Sequence, residues 1–343
     1  MSKYTIVKTL GNGVMGTAYL VKDKNNKEYA MKIQKINQKD IKKNLLSKVW
    51  REIEFAKFTK KYAAHFLQLV DYKFIDKCTH DQKLPTYFNF PSDKIGLKNK
   101  HDYEKLQQSS YCVQFVYDLL DGTLASIFNK LNKRQFISML IQLVWIIYLL
   151  QENSYKHNDL HFANVMYKKV PMNEYITILN YKIPTYGYIY SVIDYGEVLS
   201  PKFGFANRNE KYMFNMYSSD LDFVMMALYQ MPVWYYINKK KIIITSYNET
   251  IKLIKKEPIF DSLIKPYLTN KYYGTDSNIM LNLSILFNEC RHYEIMGLPS
   301  NFEKYIIKQK LTMTDYLYMW KNIVEPKKIL VYFIEKLAKK SCL

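Results

Sequence analysis

The hydrophobic pattern of this chain changes period once. Up to residue 117, short runs at 4–10, 17–22, 28–36, 66–75 and 111–117 read as strands bounded by polar turns. From Leu124 onward the apolar residues recur mainly at helical spacing, most clearly at 135–151, 219–230, 278–289 and 313–323. One helix interrupts the first part, at 47–60, where Val49, Trp50, Ile53, Ala56 and Phe58 fall near helical spacing with charges between them. A small sheet-rich lobe thus precedes a larger helical one, an α+β chain without internal repeat. The 343 residues exceed the roughly 250 to 300 over which one core keeps growing, so two lobes are expected. No Gly/Ser-rich or Pro-rich linker divides them, so the boundary is expected to be a short hinge.

Within the first lobe, 76–110 is polar and carries Pro85, Pro91 and Gly96, which predicts an exposed insertion between two strands. The apolar run 136–150 is about fifteen residues and contains Gln142, short of the ~20 needed to cross a bilayer, and reads as a buried helix. Cys78, Cys112, Cys290 and Cys342 are scattered without CxxC spacing, which disfavours a disulfide framework and a zinc site and suggests a reducing setting. Residues 1–8 lack the apolar core of a signal peptide, so the expected location is intracellular, cytoplasmic or nuclear. With 50 Lys and Arg against 31 Asp and Glu the net charge is +19, compatible either with a dispersed, solubilising charge or with an acidic or nucleic-acid partner.

Chemistry concentrates in five places. Gly11-Asn12-Gly13-Val14-Met15-Gly16 lies between two predicted strands, where backbone amides can approach phosphates because side chains are missing. Lys32, in Ala30-Met31-Lys32-Ile33, is a lysine on the third strand, placed to meet an anion or to reach solvent. On the following helix, Glu52 or Glu54 is the partner for that ammonium, Glu52 by its distance from Lys32 and Glu54 by a gapless count to the next strand; Glu52 is preferred. In His157-Asn158-Asp159-Leu160-His161-Phe162-Ala163-Asn164, a carboxylate precedes an amide by five positions, and a second carboxylate, Asp194, follows beside Tyr195 and Gly196. One carboxylate to take a hydroxyl proton, with an amide and another carboxylate as hard-oxygen ligands, is what phosphoryl transfer with magnesium uses.

A Gly-rich hairpin, strand Lys, helix Glu, HxDxxxxN and DYG in this order resemble the eukaryotic protein kinase superfamily across essentially the whole chain. The wording is similar to the haspin family, whose loop reads HRDLHWGN and whose metal motif reads IDYT; a long spacer between Asn164 and Asp194 is shared, read here as an inserted hairpin near 168–190. Val116-Tyr117-Asp118-Leu119-Leu120 resembles the lobe-connecting hinge of the casein kinase 1 group, which implies a hinge at 118–122 between lobes at 1–117 and 123–343. The resemblance implies a bilobal fold, ATP and Mg2+ as cofactors, and a serine/threonine kinase acting on a protein substrate, acidic or nucleic-acid-associated, as a monomer. It implies that residues 11–16, Ala30 and Lys32 hold the nucleotide, and that Glu52 pairs with Lys32. Tyr117 becomes the gatekeeper, the backbone of Asp118 and Leu120 meets adenine, Asp159 is the base, and Asn164 and Asp194 bind metal.

Some positions depart from the pattern. Asn158 stands where most kinases have the Arg that binds a phosphorylated activation loop, so that mode of switching is expected to be absent. His161 stands in place of a Lys, as a phosphate contact or a packing residue. No Ala-Pro-Glu follows Gly196, and either Asp220 or Asp222 braces the catalytic loop. Two other classes compete: a small-molecule kinase of the aminoglycoside or choline kinase type, which shares the HxDLHxxN wording, and a pseudokinase scaffold.

Overall fold

The computed structural model describes residues 3–13, 16–80, 94–160, 162–215, 220–221 and 325–340, with Asp315, Tyr318, Met319 and Asn322. The chain divides into two compact units, Met1–Leu221 with Val324–Leu343, and Asp222–Ile323. Of the second, few residues are described; there Asn322 donates from its amide to the Tyr318 carbonyl. The helices expected at 278–289 and 313–323, and nearly all of 219–230, lie outside the described residues.

The first unit opens with a five-stranded antiparallel sheet made of β1 (Tyr4–Gly13), β2 (Gly16–Asp23), β3 (Glu28–Ile36), β4 (Leu69–Ile75) and β5 (Tyr111–Asp118) in the order β1-β2-β3-β5-β4. Alternation along these runs puts Val21, Tyr29, Met31, Ile33, Cys112 and Val116 in one buried cluster. Helix α1 (Lys48–Thr59) follows β3, and Phe55, Phe58, Phe66, Tyr155 and Tyr195 form a connected set of aromatic contacts around it. α1 is buried almost all round, including Arg51 and Glu52.

The insertion carries a helix, α2 (Lys94–Gln107), which its polar composition and breakers had not indicated. The breakers sit where a helix tolerates them: Pro91 precedes it, Gly96 lies in its first turn, and Lys, Leu, Glu and Gln fill the rest. Cysteine spacing also misled. Cys78 and Cys112 form a disulfide with Cα atoms 5.7 Å apart. The register of β4 on β5 sets Ile75 opposite Cys112, and the Cys78 N–H donates to the Ser110 carbonyl at 2.6 Å, so antiparallel pairing brings together cysteines 34 positions apart.

After β5 the chain forms β6 (Gly122–Thr123), α3 (Leu124–Ile127) and the long α4 (Lys133–Glu152), which starts at a capping box between Asn132 and Gln135. By length and composition α4 is apolar enough to cross a membrane, and 72% of that window is buried in the fold. Its one internal amide is satisfied there: Gln142 donates to the Tyr188 carbonyl at 3.1 Å and accepts from the Tyr190 N–H at 3.0 Å. β7 (Val165–Lys169) pairs with β10 (Tyr188–Val192), enclosing the hairpin β8 (Tyr175–Ile178) and β9 (Tyr181–Pro184). That hairpin turns through Leu179 and Asn180, both at positive φ, as a two-residue primed turn requires. Among the described residues two further helices are α5 (Arg208–Asn215) and α6 (Pro326–Lys340), the latter packed on α4. The whole is a mixed α+β fold with its antiparallel sheet first.

Candidate active site

Register carries the glycine segment to the lysine. β1 ends and β2 begins with Asn12 opposite Thr17 and Gly13 opposite Gly16, and Gly11 faces Ala18, which in turn faces Lys32 on β3. Val14 and Met15 lie outside the described residues. Ala30, two residues before Lys32, is opposite Tyr117 on β5. The N–H of Asp118 donates to the Gln68 carbonyl at 3.2 Å, and Leu120 is half-buried in the stretch that follows β5.

Lys32 is the meeting point. Its Nζ lies 2.9 Å from Asp194 Oδ1 and 3.6 Å from Glu52 Oε1, joining β3, α1 and the segment after β10. Burial opposes the ammonium charge, but the carboxylates of Asp194 and Glu52 outweigh it and hold the lysine above its ordinary range. Glu52 is 2% exposed; burial pushes its carboxyl up while Lys32 pulls it down, and the net shift is upward. A second donor reaches it, since the Tyr117 hydroxyl donates to Glu52 Oε1. Glu54 is engaged elsewhere, with Lys43 and Lys57 each 2.7 Å away, so Glu52 is the partner of Lys32.

The loop after α4 is held rigidly. Asp220 accepts from the N–H groups of His157 at 2.7 Å and Asn158 at 2.8 Å, and so is the carboxylate that braces this loop; Asp222 lies outside the described residues. His157 donates from Nε2 to the Ile193 carbonyl at 2.8 Å, the Ile193 N–H donates to the Asn164 carbonyl at 3.0 Å, and Lys156 and Leu199 exchange backbone bonds. Asn158 and Asp194 both sit at φ 63, a left-handed conformation that non-glycine residues adopt at a cost of about 1–3 kcal/mol. His161 lies outside the described residues.

Asn164 donates from Nδ2 to the Asp159 backbone carbonyl at 2.9 Å and to its Oδ2 at 3.0 Å. This fixes the amide's orientation, with the nitrogen on Asp159. Burial raises the Asp159 carboxyl to about 6, opposed first by His157 and less by the Asn164 hydrogen bond, while Asp194 and Glu197 add to the rise. That value suits a base working near neutral pH. Among the described residues no three His, Cys, Asp or Glu side chains gather into a protein-only metal cage. One amide oxygen and one carboxylate, as Asn164 and Asp194 supply, match a magnesium ion that takes its remaining ligands from phosphate and water.

Four contacts were not read from sequence. Tyr117 on Glu52, Arg51 on Glu210, Lys48 on Glu197 and the Cys78–Cys112 bond all depend on tertiary placement. In the comparisons with known proteins, no family model matches the chain and no curated protein matches it.

Proposed function

We propose that the chain is an ATP-dependent protein kinase that transfers the γ-phosphate to serine or threonine hydroxyls of a protein substrate. The observation that carries this reading is the convergence on Lys32 of Glu52, twenty positions away, and Asp194, 162 positions away. A half-buried lysine fixed by two carboxylates is a cation aimed and charged in advance, suited to phosphate oxygens. Residues 11–13 and 16, two strands away in register, offer backbone amides over the same place.

In this reading Asp159 orients the acceptor hydroxyl and takes its proton as the oxygen bonds to the γ-phosphorus and the bond to ADP breaks. Asn164 and Asp194 would hold Mg2+, which neutralises charge on the transferring phosphate when bound. Asp220 keeps Asp159 in place through the loop backbone. The kinase fold, with 118–122 as hinge, belongs to the same proposal, as do action as a monomer inside the cell and an acidic or nucleic-acid-associated substrate.

The test is transfer of label from γ-labelled ATP to a generic protein acceptor, with an aminoglycoside and choline as alternative acceptors. Wild type is expected to label protein and neither small molecule. Asp194→Ala is expected to abolish transfer, and Lys32→Ala to slow it by roughly 10²-fold, the usual effect of removing one preorganised charge contact. Equal incorporation by wild type and Asp194→Ala would sink the reading.

A further inference from the structure

Helix α1 carries two adjacent buried charges, and only one belongs to the site. Beside Glu52, Arg51 is 1% exposed. Its Nη1 donates to Glu210 Oε1 at 3.0 Å, its Nη2 to Glu210 Oε2 at 2.7 Å, and its Nε to the Leu45 carbonyl at 3.1 Å. A guanidinium so far from water is tolerated when a carboxylate matches its fork, and breaking such a pair strands a buried charge.

Glu210 is itself built into its segment. Its Oε2 accepts from the Ala206 N–H at 2.8 Å, and its own N–H donates to Asn207 Oδ1 at 2.9 Å, at the start of α5. A second ion pair, Lys48 with Glu197, ties the same helix to the same stretch. That stretch begins at Asp194, so the segment that bears one carboxylate on Lys32 is pinned to the helix that bears the other.

Over its described residues, 194–215, the same stretch has no accessible site for a regulatory phosphate on serine or threonine; Ser218 and Ser219, just before Asp220, lie outside the described residues. Between Asp194 and Asn215 the one such residue is Ser200. It is fully buried, donating to the Ser154 carbonyl at 2.7 Å and accepting from the Lys202 N–H at 3.2 Å. Asn158, next to Asp159, brings no positive charge that could receive a phosphate.

We propose that the Arg51–Glu210 pair positions α1, and through it Glu52 and Lys32, so that a carboxylate built into the chain does what an added phosphoryl group would otherwise have to do. Arg51 and Glu210 are positioning residues that touch no substrate, and the enzyme is competent as synthesised. The proposal rests on the kinase reading above.

The experiment compares the full chain with Arg51→Gln, Glu210→Gln and the exchanged pair Arg51→Glu with Glu210→Arg. Two readouts are used: transfer from ATP to casein, and amide hydrogen exchange of α1 against α4. Each single variant is expected to lower kcat by roughly 10- to 10²-fold with the KM for casein little changed, because a displacement of about 1 Å suffices for that loss. Exchange in 48–59 is expected to accelerate while 133–152 is unchanged, the exchanged pair to recover most of the rate, and phosphatase treatment of wild type to leave its rate intact. A wild-type rate that collapses after phosphatase, or Glu210→Gln with both rate and α1 exchange like wild type, overturns the proposal. If Arg51→Gln does not fold, Glu210→Gln, which keeps the arginine's packing, decides. If wild type transfers nothing, the kinase reading fails, and the exchange data still decide the clamp: faster α1 exchange supports it and unchanged exchange refutes it.

Discussion

At Asp159, burial and the neighbouring Asp194 and Glu197 keep a proton bound up to about pH 6, whereas an Asp in an unfolded chain releases it near about 3.9. The folded state therefore holds more protons than the unfolded one between those values, and stability falls as pH rises through that window. Replacement by a neutral isostere should remove the penalty. Asp159→Asn is expected to raise Tm at about pH 7 and to leave it near wild type at about pH 4, read by calorimetry. In the kinase reading the same proton sets a limb in the rate, with wild-type kcat/KM for transfer falling below about pH 6. An unchanged Tm at neutral pH would show that the carboxyl titrates normally. Lys32, Asp159, Asn164 and Asp194 stood out in sequence because few alternatives explain those types at those spacings. Tyr117 on Glu52 did not, because a tyrosine on a strand gives no sign of which side chain it will reach.

The β1–β2 hairpin separates two uses of glycine. A Cβ on Gly16 would meet the Ile33 carbonyl oxygen at 2.6 Å, and the residue sits at φ +154, so β2 can approach β3 there only without a side chain. A Cβ on Gly11 would meet nothing within 4 Å. Gly16→Val is accordingly expected to lower unfolding stability by about 1–3 kcal/mol, the usual range for overpacking, in urea titration. Gly11→Ala should leave that midpoint unchanged and, in the kinase reading, raise the KM for ATP. A Gly11→Ala protein as unstable as Gly16→Val would mean that both glycines serve packing alone. At this scale β1 to β5 and α1 were legible within a few residues, since each run lies between polar turns and keeps its own period. Helix α2 was not, because its polar sequence shows no apolar stripe and its flanking Pro and Gly read as breakers.

Across the molecule, the Cys78–Cys112 bond closes a 34-residue span that contains α2 and ties it to the sheet. Loop-closure entropy for such a span is worth roughly 4 kcal/mol. The unfolding free energy from urea titration is expected to fall by about that much under reductant, with a lower midpoint, and equally for the Cys78→Ser, Cys112→Ser double variant without reductant; coincident curves would show that the bond does not contribute. This pairing was hidden from the sequence because it follows from strand register and from no local spacing. The division into a sheet-bearing first part and later helices was visible throughout, being a property of long stretches rather than of single contacts.

The burial of α4 has a consequence in time. The β10 strand, whose backbone satisfies Gln142, is made about 40 residues later, and α6, which packs on α4, about 170 residues later. At roughly 5–20 residues per second, α4 waits on the order of 10 to 35 s for its last cover. For that interval a nascent chain displays an uncovered helix whose apolar run of about fifteen residues is shorter than a bilayer span but greasy enough to need shielding.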